Sequence, residues 1–287
     1  MNQVIINALI AAGVDREFVA LVTNIYRNST TRVFAGEELT DPIAINRGVK
    51  QGCPLSGILF NLAINQVLTT VQEGREGKAI LAFADDLVLL AKSAEDLQAL
   101  LDITIDEVDK LTLRDNTNKC ATLHISGEAA TGTRDSTFQI KGQALKKLGD
   151  ADYYKYLGKP VGFFLMKNFR TVNEALALLQ KVATSNLAPW QKLDAMKTFF
   201  FPSLSFSMRT AQVEKTGWRQ VDIAVAKEVK NILNLPERAT NHYLLADRKK
   251  GGCSIPSAAA DCDFYLVDTA FKLLTSRDED VARAILE

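Results

Sequence analysis

The stretch Lys78–Ala91, KAILAFADDLVLLA, sets two adjacent carboxylates, Asp85 and Asp86, between the apolar runs Ile80–Ala84 and Leu87–Ala91. The runs read as the arms of a buried hairpin with the acids at their junction. An ionised carboxylate buried without a partner is costly, and a like charge beside it adds to the cost. Three arrangements remove that cost. The acids can sit at an exposed turn, where Asp is common. They can pair with Lys or Arg from elsewhere. They can bind a hard cation such as Mg2+, which prefers carboxylate oxygens. The hairpin alone does not choose among them.

The chain has 287 residues, 47% hydrophobic and 24% charged, a globular composition long enough for two domains. It has no apolar run of bilayer-spanning length and no charged-then-apolar leader, so a soluble chain away from membranes is expected. Cys53, Cys120, Cys253 and Cys262 form no CxxC pair, and His124 and His242 are the only histidines. Neither a zinc site nor a disulfide scaffold is supported, which suits a reducing, intracellular compartment. The formal net charge is +0, yet residues 141–250 hold 19 Lys and Arg against 9 Asp and Glu, a net of +10 that the remainder balances. Such a stretch either faces a polyanion or is an ordinary solvated helical surface.

Along the chain, Val4, Ile5, Ala8, Leu9 and Ala12 recur at helical spacing, and Gly13 suits the helix end. Asp15 can cap a second helix whose apolar face is Phe18, Leu21, Val22 and Ile25. TTRVFAGEELTDPIAIN reads as two short strands around Gly36. In RGVKQGCPLSGILFNLAINQVLTTV, Gly48 and Gly52 lead through Pro54 into a helix with Leu55, Ile58, Leu59, Leu62 and Val67 inward. After the acid hairpin, Ser93 with Asp96 has the form of a capping box, opening a helix that buries Leu97, Leu100, Leu101, Ile105 and Val108. KCATLHIS and STFQIKG read as strands and YKYLGKPVGFF as a hairpin arm. From about Thr171 the pattern is all helical, with breaks at Pro189, Pro202 and Pro236. The expected architecture is α+β over residues 1–164, followed by a helical, basic part over residues 165–287.

Three segments in this order, RGVKQGCPLSGILFNLAIN, AFADDLVLLA and YKYLG, resemble the palm of a reverse transcriptase from a non-LTR retrotransposon. The later run LAPWQKLDAMKTFFFPSLSF, with LNLP and RKKGG, resembles the thumb of that family, in the subtype whose members insert at specific genomic sites. The resemblance covers nearly the whole chain. It implies a polymerase-type palm, an antiparallel sheet with packed helices, and then an all-helical thumb. The implied activity is RNA-directed DNA polymerisation, with Mg2+ or Mn2+ as cofactor. RNA template, DNA primer and deoxynucleoside triphosphates are the implied partners, and a nuclear location is favoured.

The resemblance also implies roles. Polymerases join a primer 3′-hydroxyl to a nucleotide α-phosphate with two metal ions. Asp85 would be a metal ligand and Asp86 the neighbouring acid, the two facing different ways because successive strand residues alternate. In RGVKQG, Gly52 allows close backbone approach to the nucleotide. Gln51 would contact nucleotide or template, and Arg47 and Lys50 would offer charge to phosphates beside a helix N-terminus. The alternative, a structural loop before a core helix, accounts for the glycines but not for the Gln and the two cations. In LRDNTNKCATL, Lys119 would neutralise the leaving pyrophosphate. The glycine usual near that segment's start is absent, Asn116 or Asn118 stands for its asparagine, and a solvated strand-edge lysine is the alternative. Tyr156, Leu157 and Gly158 match the primer-gripping hairpin, against the alternative of a core tyrosine. Lys and Arg of residues 141–250, Arg248, Lys249 and Lys250 among them, would hold the template–primer duplex through phosphates. Trp190 and Trp218 read as helix-packing residues.

A further family element, a strand of the form Phe-x-Asp-x-x-x-Ala-Phe-Asp whose first acid bridges both metals, has no counterpart in the sequence. The expectation is a palm-and-thumb fragment of a polyprotein or a truncated copy, with little or no polymerase activity by itself. Its catalysis would wait on the missing N-terminal part. The rival expectations are a non-catalytic nucleic-acid-binding remnant and a poorly folded product without selected function.

Overall fold

The structure, a computed structural model, describes residues 2–45, 48–125, 132–164, 169–210 and 213–286. The chain forms two compact units, Met1–Asp150 and Ala151–Glu287. The boundary expected after Phe164 thus differs from the division between the units, and the YKYLG hairpin belongs with the helices that follow it. Among the described residues, no helix is long and apolar enough to cross a membrane.

The first unit opens with α1 (Asn2–Ala11), which ends before Gly13 at φ 72°. Helix α2 (Arg16–Tyr26) starts where the Asp15 carboxylate accepts from the Glu17 and Phe18 N–H groups, the cap expected there. Val22 and Tyr26 are its buried residues, whereas Leu21 is 52% exposed, so the apolar stripe is wider than the face that is covered. The segment around Gly36 is a long hairpin broken into two ladders. Strand β1 (Thr30–Thr31) pairs antiparallel with β4 (Ile43–Ala44), and β2 (Phe34–Ala35) with β3 (Glu38–Leu39).

Helix α3 (Ser56–Gln72) is the strut of this unit. Its inward residues are Leu59, Ile64, Val67 and Val71, while Ile58, read as inward, is 60% exposed. Strands β5 (Ile80–Phe83) and β6 (Asp86–Leu89) form the acid hairpin. Ile80, Leu87 and Leu89 pack with Val67 and Val71 of α3. Helix α4 (Ala94–Lys110) begins at Ser93, whose hydroxyl accepts from the Asp96 N–H at 3.0 Å. Beyond it β7 (Ala121–Thr122) pairs in parallel with β10 (Lys146–Lys147). Between these lies a tight hairpin of β8 (Gln139–Ile140) and β9 (Gln143–Ala144), whose Ile140 packs with Ile105 of α4. The architecture is α+β, but among the described residues each strand pair is a separate two-stranded sheet rather than part of one palm sheet.

The second unit begins with the antiparallel hairpin of β11 (Tyr153–Tyr156) and β12 (Lys159–Gly162). Helices α5 (Phe169–Ala183), α6 (Pro189–Ala195), α7 (Phe201–Arg209), α8 (Lys215–Ile232), α9 (His242–Leu245), α10 (Ala258–Leu274) and α11 (Glu279–Leu286) follow. Leu179, Met196, Phe200, Leu204, Trp218 and Val225 are central in their shared core. Pro202, read as a break, does not interrupt the chain of helices. A π-turn at Met196–Phe200 joins α6 directly to α7 and widens the backbone ahead of the proline. That widening accommodates the missing N–H and the bulk of the ring.

Candidate functional site

The acids lie where the hairpin turns. Phe83 pairs with Asp86, leaving Ala84 and Asp85 as a two-residue loop. Asp85 is therefore a turn residue and Asp86 the first residue of β6, and both are exposed. Ala84 takes φ 51°, a left-handed value that two-residue hairpins normally give to Gly, Asn or Asp, and it costs a β-carbon on the order of 1 kcal/mol. The register of the ladder sets the carboxylates at the tip of the arms. Those arms are less buried than their composition suggests. Residues that pair across the ladder share a face: Ile80, Leu87 and Leu89 pack on the helices, while Ala82, on the same face nearer the tip, is exposed. Leu81, 44% exposed, and Phe83, 64% exposed, share the other face with Val88.

Among the described residues, no group of three or more His, Cys, Asp and Glu side chains comes together as a metal site. Asp85 and Asp86 offer the oxygen donors that Mg2+ prefers. A pair of ions spanning the attacking and leaving oxygens needs more carboxylates than this hairpin carries. The donor set agrees in kind and falls short in number.

The glycine-rich loop reaches the same helix from its other end. The Cys53 N–H donates to the Lys50 carbonyl at 3.2 Å, closing a four-residue turn with Gln51 and Gly52 at its centre. Gly52 has φ 80°, which a type II turn requires at its third position. Gln51 and Gly52 are exposed. Lys50 is directed elsewhere. Its ammonium donates to the Ile25 carbonyl at 2.7 Å and stands 5.6 Å from the centre of the Tyr26 ring. Arg47 lies outside the described residues. Lys119 closes one 3-10 turn, Thr117–Lys119, immediately before β7, and is exposed.

In the second unit, Tyr156 and Lys159 close a hairpin whose two-residue loop is Leu157–Gly158. Their φ values are 48° and 80°, the double left-handed pattern of a type I′ turn. Leucine in that first place is strained, as Ala84 is. A β-carbon on Gly158 would stand 3.1 Å from Phe206 Cε1, so the hairpin tip lies against α7. Tyr156 is half-buried.

The basic residues of this unit are partly neutralised from within. Arg248 donates to Asp194 at 2.8 Å, and Lys197 stands 3.4 Å from the same carboxylate. Arg209 and Lys272 share Asp268, whose carboxyl they hold below the usual range, Lys272 first and Arg209 second. Lys215 pairs with Asp263. Lys249 and Lys250 are exposed beside Arg248. The tryptophans divide: Trp218 is 0% exposed in the core, but Trp190, at the start of α6, is 63% exposed and is not a packing residue. Sequence reasoning missed the Lys50–Tyr26 contact, because nothing local couples residues 24 apart. It also missed the strain at Ala84 and Leu157, for which the only signal is a non-glycine residue in a two-residue hairpin loop.

The family described as reverse transcriptase (RNA-dependent DNA polymerase) matches residues 3–161, from α1 through β12. A retrovirus-related Pol polyprotein from type-2 retrotransposable element R2DM of Drosophila melanogaster is 33% identical over 264 residues, covering 88% of this chain and 25% of the relative. One from type-1 retrotransposable element R2 of Nasonia vitripennis is 29% identical over 298 residues, covering 99% of this chain and 28% of the relative. Another from type-1 element R2, of Popillia japonica, is 27% identical over 265 residues, covering 88% of this chain and 43% of the relative. The chain thus spans between 25% and 43% of the length of these polyproteins. With the acid-tipped hairpin, the glycine turn and the strut helix between them all inside the matched region, the chain belongs to the reverse transcriptases, in the branch carried by non-LTR retrotransposons.

Proposed function

We propose that this chain carries part of an RNA-directed DNA polymerase that copies retrotransposon RNA from a DNA primer, using deoxynucleoside triphosphates and divalent ions of the Mg2+ or Mn2+ kind. The observation that carries the reading is the pair Asp85 and Asp86 at the strained tip of an apolar hairpin packed on α3, whose other end receives the Gln51–Gly52 turn. Asp85 is one carboxylate for metal, and Asp86 is its neighbour on the ladder. Gln51 and the bare backbone of Gly52 meet the nucleotide, and Lys119 meets the leaving pyrophosphate. Tyr156, Leu157 and Gly158 support the primer end. The helical unit grips the duplex through phosphates, with Lys249 and Lys250 more available for that than Arg248, which Asp194 already engages.

Two carboxylates do not build a two-metal site. The proposal is therefore that the 287 residues bind primer–template but extend it little or not at all until a further acid-bearing strand is supplied. Among the described residues the acid hairpin has only two strands, so its outer edges are unpaired, and a further strand beside it would complete their ladder; that open edge favours this reading. Binding to an RNA–DNA duplex at a series of salt concentrations tests the grip. The logarithm of affinity should fall linearly with the logarithm of monovalent salt at a fixed Mg2+ concentration. The double change Lys249→Ala, Lys250→Ala should reduce the slope by about two. A salt-independent affinity would refute the phosphate grip.

A further inference from the structure

We propose that Lys50 serves the nucleotide indirectly, as a positioning residue that clamps the Gln51–Gly52 turn to the C-terminal end of α2. The proposal rests on the polymerase reading of that turn and adds a residue-level account of what holds it. Every polar group of Lys50 is engaged away from the turn's exposed side. Its backbone N–H points at the Tyr26 hydroxyl, 3.4 Å away, and its ammonium donates to the Ile25 carbonyl at 2.7 Å. Its carbonyl accepts from the Ser56 hydroxyl at 2.5 Å and from the Cys53 N–H at 3.2 Å.

The ammonium is well placed electrostatically. The last carbonyls of a helix carry the negative end of its dipole, and a cation there is favourable. Helix α2 has no basic residue in its own last turn, so Lys50 brings a cation from 25 positions along the chain. The Tyr26 ring adds a cation–π contact at 5.6 Å to its centre. Lys50 is the first residue of the four-residue turn, and its backbone sets the plane in which Gln51 and Gly52 are presented. Holding Lys50 to α2 on one side and Ser56 of α3 on the other fixes the direction of the Gln51 side chain. An ammonium on Ile25 aims into α2, whereas a phosphate ligand would project with Gln51.

Cys53 closes the turn and is a free, half-buried thiol, so its alkylation rate reports turn order without any catalytic readout. The full chain, its Lys50→Met, Lys50→Arg and Tyr26→Phe variants are treated with iodoacetamide, and labelling at Cys53 is quantified by mass spectrometry. Loss of a hydrogen bond from a charged donor predicts labelling about tenfold faster in Lys50→Met. Tyr26→Phe, which touches no ligand, should label about threefold faster, and Lys50→Arg, which keeps a donor cation, near the parental rate. The same labelling is repeated with a primed RNA template, Mg2+ and the matched nucleotide. Protection of Cys53 in the parent, weakened in both Lys50→Met and Tyr26→Phe while duplex affinity holds, supports the clamp. Parental labelling rates in both Lys50→Met and Tyr26→Phe overturn it. So does a Lys50→Met chain that keeps its turn but alone loses protection, since that is the behaviour of a direct phosphate ligand. No protection in the parent would refute the nucleotide reading of the turn, and the labelling rates without nucleotide would still decide the clamp.

Discussion

Removing the Asp222 carboxylate should loosen the helical unit by a calculable amount. Asp222 projects from α8 to the start of α10, where it accepts from the Ala258 N–H at 2.6 Å, the Ala259 N–H at 3.1 Å and the Ser257 hydroxyl at 2.9 Å. Ser257 in turn accepts from the Ala260 N–H at 3.3 Å, so the two side chains together satisfy the first turn of α10. Asp222→Ala leaves two backbone donors and one hydroxyl to find water. A lost helix cap costs roughly 1 kcal/mol, a lost anion at a partly buried helix N-terminus up to about 1 kcal/mol more, and the hydroxyl about 0.5–1 kcal/mol. Relief of the like charge on Asp261 returns a few tenths. The net is about 2 kcal/mol, close to a 30-fold rise in the unfolded fraction. Both tryptophans, Trp190 and Trp218, lie in this unit, so tryptophan fluorescence in urea follows it alone. With a slope of about 2 kcal/mol per molar, the midpoint should fall by about 1 M. Asp222→Asn, which keeps one acceptor, should fall by roughly half as much. A midpoint for Asp222→Ala within about 0.2 M of the parent would refute the argument that this carboxylate fastens α10 to α8.

Two further expectations follow from the same geometry. Burial, and then the charge of Asp222, hold the Asp261 carboxyl above the usual range. The folded state therefore favours its protonated form, and its contribution to stability is full below the unfolded pKa and lost as pH rises through the folded one. Asp261→Asn should accordingly be more stable than the parent at pH 7, with the gap closing as pH falls toward about 4; urea midpoints at the two pH values check this. Gly158→Ala places a β-carbon at φ 80° and 3.1 Å from Phe206. It should destabilise the second unit by about 1–2 kcal/mol and weaken binding of a primed duplex, whereas Phe206→Ala in the same background should restore part of the stability.

The turns of the two hairpins, the caps at Asp15 and Ser93 and the helical character of the second part are local properties, and the residues that encode them sit within four positions of one another. They are legible for that reason. Periodicity gives the direction of an apolar stripe but not the width that a neighbour covers, which is why Ile58 and Leu21 turn outward. Trp190 and Trp218 are alike in sequence terms, and only the packing of α6 and α8 distinguishes them. Pro202 signals a break by every local rule, yet the π-turn before it absorbs the proline. In the candidate site, the acids, the glycine turn and the YLG loop were readable as types and spacings. The direction of Lys50 was not, because its partner Ile25 belongs to another element and the same ammonium could equally have faced phosphate. The pairing of Arg248 with Asp194, 54 residues away, is hidden for the same reason.

The most direct test is primer extension on a primed RNA template with Mg2+ and all four nucleotides. It compares the chain as it stands with the chain fused to an upstream strand carrying the Phe-x-Asp element, each with and without Asp85→Asn. The expected result is duplex binding by all four proteins, extension by the fused chain alone, and its loss in the fused Asp85→Asn protein. Extension by the unfused chain that survives or disappears with Asp85 would equally contradict the claim that these residues hold an incomplete set of metal carboxylates.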